Sequence, residues 1–202
     1  LDAGEIEVFI GWEAGTIPLQ ATPAFARSPE DVERLIWDAT CENNLVAFLP
    51  NYRGKKVGII VKGCDSRAII GLMQEGQVIR ENLRIVGASC PGVIDPKKVA
   101  DNLGILVDDL EDVALEDGHV TGGPQPMALE SVTYDMCATC DRHNPIVEDV
   151  HLGEMIEASV DPELAFSHVR EMEALSPDER WARFNEEIKR CNLCFACRNA
   201  CP

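Results

Sequence analysis

The sequence predicts an α/β fold: a mostly parallel sheet with flanking helices, followed by a small helical module at the C-terminal end. Three observations predict it. Lys56–Lys62 (KVGIIVK) and Leu83–Ala88 (LRIVGA) are short apolar runs without polar alternation, the pattern of strands covered on both faces. Between them Ala68, Ile69, Leu72 and Met73 recur at helical spacing, so the three segments form a strand–helix–strand unit. The last twelve residues hold four closely spaced cysteines behind a helical stretch, which sets that end apart as a module of its own.

The elements follow in order. Ile6–Gly11 (IEVFIG) reads as a first strand closed by glycine, and Trp12–Arg27 as irregular because Pro18 and Pro23 interrupt it. Ser28-Pro29-Glu30-Asp31 opens a helix with a capping hydroxyl, a first-position proline and early acids. Leu35, Ile36 and Ala39 extend that helix to about Thr40, and a second apolar helical stretch ends at Leu49. Asp65 is the expected cap of the crossover helix, and Gly76 its stop. Asp95-Pro96 starts a short helix through Leu103, and Ile105–Val107 reads as a strand. Asp117-Gly118 is a hairpin turn between Val113–Glu116 and His119–Thr121, and Met127–Tyr134 is extended. A helix from Asp161-Pro162 to about Leu175 points Leu164, Val169 and Met172 inward. Ser176-Pro177-Asp178-Glu179 caps the last helix, whose Trp181, Phe184 and Ile188 read as core.

Composition narrows the function. The 202 residues are 46% hydrophobic and 5% aromatic, enough for one fair-sized domain or a domain with a small module. A net charge of −17 argues against nucleic acid or an anionic membrane as partner. No apolar run is long enough to span a bilayer and no signal peptide is visible, so a cytoplasmic location without membrane insertion is expected. Leu1 in place of a methionine, and a cysteine just ahead of Pro202, read as cuts at both ends.

Nine cysteines are too many for an ordinary cytosolic chain, and their grouping points to cofactor ligation rather than disulfides. Cys191, Cys194, Cys197 and Cys201 stand three, three and four residues apart with Pro202 behind. That is the bacterial-ferredoxin run, in which each two-residue gap turns the backbone around a 4Fe-4S cubane. In two-cluster ferredoxins the fourth cysteine serves the other cluster, so Cys201 either completes this centre or reaches a second one. Zinc sites use close pairs of cysteines set about a dozen or more residues apart, not three cysteines in strict succession, so a zinc-stabilised interaction module is the weaker alternative.

Cys64 and Cys90 each follow a strand of the predicted unit, which puts both at the carboxyl edge of the sheet where open α/β sheets bind ligands. Neighbouring strands would bring them about 5 Å apart. Cys137-Ala138-Thr139-Cys140 is followed by a loop rather than a long apolar helix, which disfavours a thioredoxin-type redox pair. With Cys64 and Cys90 it makes four thiolates, the number a cubane takes. Lys62, Gly63, Asp65 and Arg67 are candidate cofactor contacts at the same strand end, with Lys62 and Arg67 tuning the cluster potential. Cys41 is a possible extra ligand whose bland reading is a buried small hydrophobe. His143 and His151 read as surface residues that could stand in for a cysteine, with His119 and His168 weaker. No residue is read as catalytic.

The segments LDAGEIEVFIGW, KKVGIIVKGCDSRAI, LRIVGASCPG and MCATCDRHNPIVEDVHLG resemble the iron–sulfur beta subunits of deazaflavin-dependent hydrogenases and formate dehydrogenases. The resemblance covers most of residues 1–158, with a ferredoxin-type motif added behind it. It implies a cluster on Cys64, Cys90, Cys137 and Cys140, close to a flavin that exchanges hydride with the deazaflavin. The family's glycine-rich segment ahead of the first strand is not among these residues, which leaves FAD an open second cofactor.

The expected organisation is a cluster-binding α/β domain at 1–158 and, at 159–202, a helical connector with the start of a ferredoxin-like module. The expected function is electron transfer through one or two 4Fe-4S clusters. The chain would be a subunit of an anaerobic oxidoreductase complex, of hydrogenase, formate dehydrogenase or heterodisulfide-reductase-linked type, partnered by other redox subunits. The alternative is a flavin-containing oxidoreductase exchanging hydride with a soluble cofactor.

Overall fold

A six-stranded sheet forms the centre of the protein, seen in a computed structural model that describes residues 1, 4–157 and 162–200. Strand β1 (Val8–Ala14) pairs antiparallel with β2 (Ala21–Ala26). One turn of helix, α1 (Pro29–Val32), leads to a two-residue strand β3 (Leu35–Ile36), also antiparallel to β1. A 3-10 helix over Leu45–Tyr52 precedes β4 (Val57–Val61), which lies parallel to β1. Helix α2 (Gly63–Gln74) then crosses to β5 (Leu83–Ala88), parallel to β4 and directly beside it. Helix α3 (Pro96–Leu103) opens an excursion containing the three-stranded sheet β6 (Ala114–Glu116), β7 (His119–Thr121) and β8 (Met127–Ala128). A single turn, α4 (Asp135–Ala138), precedes β9 (Val150–Leu152), which closes the far side of the main sheet parallel to β5.

The physical logic is that of a sheet covered on both faces. Every residue of β4 is buried, and Ile10, Trp12, Ile59 and Ile85 are fully enclosed in the main core. A second, smaller core gathers Ile94, Val99, Val120 and Val132 under the β6–β8 excursion. Gly58 is required in β4 because a Cβ there would lie 2.5 Å from the Phe9 ring. Arg80 reaches both the Leu83 carbonyl and the Asp149 carboxylate, and Asp149 accepts from the Ile85 amide at 2.8 Å, tying β9 to the start of β5.

Several local expectations change. The 12–27 segment is not irregular: Trp12 lies inside β1, and Pro23 is accommodated because β2 is an edge strand. The helix expected over 29–40 stops after one turn, since Leu35 and Ile36 bury more by pairing with β1 than on a surface helix. Lys62, not Asp65, holds the N-cap position of α2. An ammonium cannot accept a hydrogen bond, so Asp65 in the first turn does the capping, accepting from the Lys62 amide at 3.2 Å. Residues 105–107 form no strand, and the extended run from 127 shortens to Met127–Ala128.

Past residue 161 come α5 (Pro162–Ala165), α6 (Ser167–Ala174), α7 (Pro177–Ile188) and α8 (Ala196–Ala200); Asp161 lies outside the described residues. Here the expected core is wrong. Trp181 is 64% exposed and Phe184 51%, the two rings stacking on each other 5.6 Å apart, and Leu164, Val169 and Ile188 are also exposed. The helical periodicity is real, but α7 has no sheet face to bury it against.

Candidate metal centre

The site grows out of the ends of β4 and β5. At the end of β4 the chain turns directly into α2, placing Cys64 in its first turn. Gly63 is the pivot: a Cβ there would stand 1.9 Å from the Arg142 carbonyl oxygen, so only glycine lets the 140–144 loop cross this close. Ser66 secures the same crossing, its hydroxyl donating to the Gly63 carbonyl at 2.7 Å and accepting from the Ile146 amide at 3.1 Å.

At the end of β5 the loop binds Cys90 to the same crossing segment. The Cys90 amide donates to the His143 carbonyl at 2.8 Å, and His143 Nδ1 sits 2.8 Å from the Cys90 carbonyl. A carbonyl only accepts, so that nitrogen carries the proton. Gly92, at φ +135°, passes close to the 133–137 segment: a Cβ there would lie 2.9 Å from Thr133 Cγ2 and 3.6 Å from the Cys137 Cβ. Cys137 and Cys140 themselves form a tight turn, with the Cys137 amide on the Tyr134 carbonyl and the Cys140 amide on the Cys137 carbonyl. The Arg142 amide donates to the Cys140 sulfur at 3.3 Å. Behind the turn Ser89 donates to Asn144 Oδ1 at 2.7 Å and contacts His151 Nε2 at 3.0 Å, while Glu148 holds His151 Nδ1 at 2.9 Å.

The result is a cavity of about 690 Å³ into which Cys64, Cys90, Cys137 and Cys140 all face, with Lys62, Tyr134 and His143 among its other walls. Cys64 is open to this hollow yet walled by protein, and that enclosure governs its chemistry. Burial, with the Asp65 carboxylate adding to it, pushes its thiol up to about 12. Burial likewise pushes Cys90 to about 11 and raises Cys137, with the Lys62 ammonium opposing both. Tyr134 is raised by burial and then by the Glu42 carboxylate facing it. Walled-in thiols of this kind stay protonated until a cation draws them into thiolates.

All described cysteines are free. Among the described residues no three His, Cys, Asp or Glu side chains are gathered closely enough for a single ion. A cubane spreads its ligands over several irons and needs no such tight group, so four thiols around one roomy hollow suit it better than zinc.

The other candidates divide. Gly63 lines the cavity; Asp65 does not, being buried behind it. Lys62 lines it, but its ammonium turns inward to protein partners, so it makes no free cofactor contact. Arg67 is exposed on α2, away from the lining. Cys41 is fully buried in the main core, its thiol pushed up to about 12 by burial, and it is absent from the cavity wall. His143 is part of the site rather than a surface residue. Tyr134, Glu42 and Phe48 also line the cavity, and nothing in their spacing could have flagged them.

Cys191, Cys194 and Cys197 are exposed near one another in sequence, with Leu193 and Phe195 between them in the left-handed region at φ 59° and 61°. The Cys191 sulfur accepts from the Leu193 amide at 3.4 Å. Cys201 lies outside the described residues.

No protein-family model matches the chain. Over 120 residues it is 27% identical to the F420-dependent formate dehydrogenase 1 subunit beta of Methanococcus maripaludis, a match covering 58% of this chain and 31% of that protein. The chain thus spans about a third of the length of the curated relative it matches. In fold it is similar to a chain of the F420-reducing NiFe hydrogenase complex from Methanosarcina barkeri. The TM-score is 0.56 at 15% identity, covering 93% of this chain and 80% of that one. Among the described residues no helix is long and apolar enough to cross a membrane. In sequence, at low identity, the chain is thus similar to a beta subunit of an F420-dependent formate dehydrogenase, and its mostly parallel α/β fold is similar to that of a chain in an F420-reducing hydrogenase complex.

Proposed function

We propose that the chain is an electron-transferring iron–sulfur subunit of an F420-type hydrogenase or formate dehydrogenase complex, working in the cytoplasm with other redox subunits. The observation that carries this reading is the convergence of four cysteines, from the ends of β4 and β5 and from the turn at 137–140, on one cavity. A 4Fe-4S cluster bound there would supply one-electron chemistry. The protein's own part is to hold the four sulfurs, to wall off water and to fix His143 through its Nδ1–H. Residues 1–158 act as the cluster-binding domain and 159–202 as a connector carrying a second, ferredoxin-type ligand run on Cys191, Cys194, Cys197 and Cys201. No residue of this chain needs to make or break a bond.

Iron, acid-labile sulfide and flavin measured on one oxygen-free preparation test the reading. Equal iron and sulfide are expected, with Cys64→Ser and Cys90→Ser each losing part of both. Zinc without sulfide overturns it. A second reading, in which the chain also binds FAD and exchanges hydride with a soluble cofactor, is favoured by the cavity's size, which falls within the roughly 300–1,000 Å³ range of organic-ligand sites. Stoichiometric flavin would establish that reading.

A further inference from the structure

The most unusual side chain in the molecule is Lys62. It is 3% exposed, and its ammonium lies 3.0 Å from Asp65 Oδ2, 3.0 Å from the Cys41 carbonyl and 3.0 Å from the Asn43 carbonyl. Those three acceptors match the three protons of an ammonium. It also sits over the Trp12 ring, 4.3 Å from the centroid. Asp65 is equally buried, so this is an ion pair taken out of water inside the core.

A buried pair of this kind is a poor device for stability, because desolvating both charges offsets most of their attraction. Its geometry suggests another use. The two carbonyls belong to the segment just ahead of the Leu45–Tyr52 helix, and that segment is one wall of the cavity, contributing Glu42, Asn43 and Asn44. Its other polar ties include a side-chain hydrogen bond between Glu42 and Tyr134 across the cavity and two made by its asparagines. Asn43 Nδ2 reaches the Ala21 carbonyl at 3.4 Å, and Asn44 Oδ1 caps the 3-10 helix through the Val46 amide. Lys62 connects this wall to the end of β4, two residues from Cys64.

We infer that Lys62 is a positioning residue: its ammonium clamps the 41–44 wall across the strand end and so sets how tightly the cavity retains whatever Cys64, Cys90, Cys137 and Cys140 hold. The inference rests on the proposed cluster for its second half only; the clamp itself rests on the protein's own bonds. The same three bonds explain why Lys62 is unavailable to a ligand although it lines the cavity.

The test uses the full chain and the variant Lys62→Met/Asp65→Asn, which removes the pair without stranding a buried charge. Lys62→Gln serves as a second variant, keeping a donor for Asp65 but unable to span both carbonyls. Hydrogen exchange on the metal-free chain is the first readout. Faster exchange is expected in peptides covering 41–47, with β4 and β5 unchanged; a general structural role would accelerate all three together. Release of iron to a chelator from the reconstituted chain is the second, expected to be tenfold to a hundredfold faster, the usual effect of removing an outer-shell partner. The EPR signal of the reduced centre is the third, and a change in its line shape is expected as the wall loosens. Unchanged exchange at 41–47 overturns the inference, and so does local loosening with unaltered iron release and an unaltered signal. If the wild-type chain takes up no iron or sulfide, the proposed function fails instead, and the exchange measurement alone decides the clamp.

Discussion

Replacing Gly63 by alanine should damage the site out of proportion to one methyl group. The added carbon would lie 1.9 Å from the Arg142 carbonyl oxygen and 2.9 Å from the Asn144 carbonyl oxygen, both backbone atoms that cannot rotate away. An ordinary carbon–oxygen contact runs at about 3.3 Å, so the 140–144 crossing must withdraw by roughly 1.4 Å. Overpacking of this kind costs about 1–3 kcal/mol. Helix propensity works the other way, favouring alanine by up to about 1 kcal/mol within a helix, which leaves a net loss of about 0–2 kcal/mol when that gain is taken in full. The same retreat carries Cys140 and His143 away from Cys64, so iron retention should fall more than stability does. Gly71→Ala is the control: it lies in the same helix, and a Cβ there meets nothing within 4 Å. It should be neutral or stabilising by up to about 1 kcal/mol. Urea unfolding midpoints at unchanged m-value, with chelator-release rates on the reconstituted proteins, make the comparison. Equal behaviour of the two alanine variants would refute the close-crossing argument.

Asp149→Asn should lower stability by about 0.5–1 kcal/mol at neutral pH, the scale of a part-exposed ion pair. The hydrogen bond from Arg80, with that from the Ile85 amide, holds Asp149 below the usual aspartate value of 3.8. A carboxylate depressed on folding adds stability above its unfolded pKa and loses it as the pH falls toward the folded one. The gap between wild type and Asp149→Asn should therefore close as acid denaturation is followed below 3.8; a gap that widens there would contradict the assignment. Alkylation of the metal-free chain at neutral pH should modify the exposed Cys191, Cys194 and Cys197 first and Cys41 last, read by mass spectrometry of timed digests. Trp181→Ala should change stability by less than about 0.5 kcal/mol, whereas Ile59→Ala in β4 should cost about 2–5 kcal/mol. Comparable losses for the two would mean that α7 packs against the body of the protein after all.

How much was legible in the sequence follows from the range of the forces involved. β4, β5, the helix between them, the cap at Asp95 and the Asp117-Gly118 hairpin are set by patterns a few residues long and follow from the sequence alone, except that the helix starts at Gly63, ahead of the expected cap at Asp65. β2 and β3 were hidden, because pairing with β1 overrides the breaking tendency of Pro23 and the helical spacing of Leu35 and Ile36. β9 was hidden for the same reason, since three residues are too few to carry a period and only the neighbouring β5 makes them a strand. The apolar face of α7 shows the reverse failure. A 3.6-residue period reports that one face is apolar, not that anything covers it.

For the candidate site the division is similar. Cysteine spacing and strand-end placement determined by themselves that Cys64 and Cys90 share one sheet edge, because side-by-side parallel strands leave no other arrangement. Only the tertiary structure decided that Cys137 and Cys140 meet them. That meeting depends on the 140–146 segment crossing a bare Gly63 and exchanging hydrogen bonds with Cys90, contacts between residues some 50 to 80 positions apart that no local pattern encodes. Tertiary structure likewise turned Lys62 from a presumed cofactor contact into an internal tie, because the direction of a long side chain is set by which acceptors surround it.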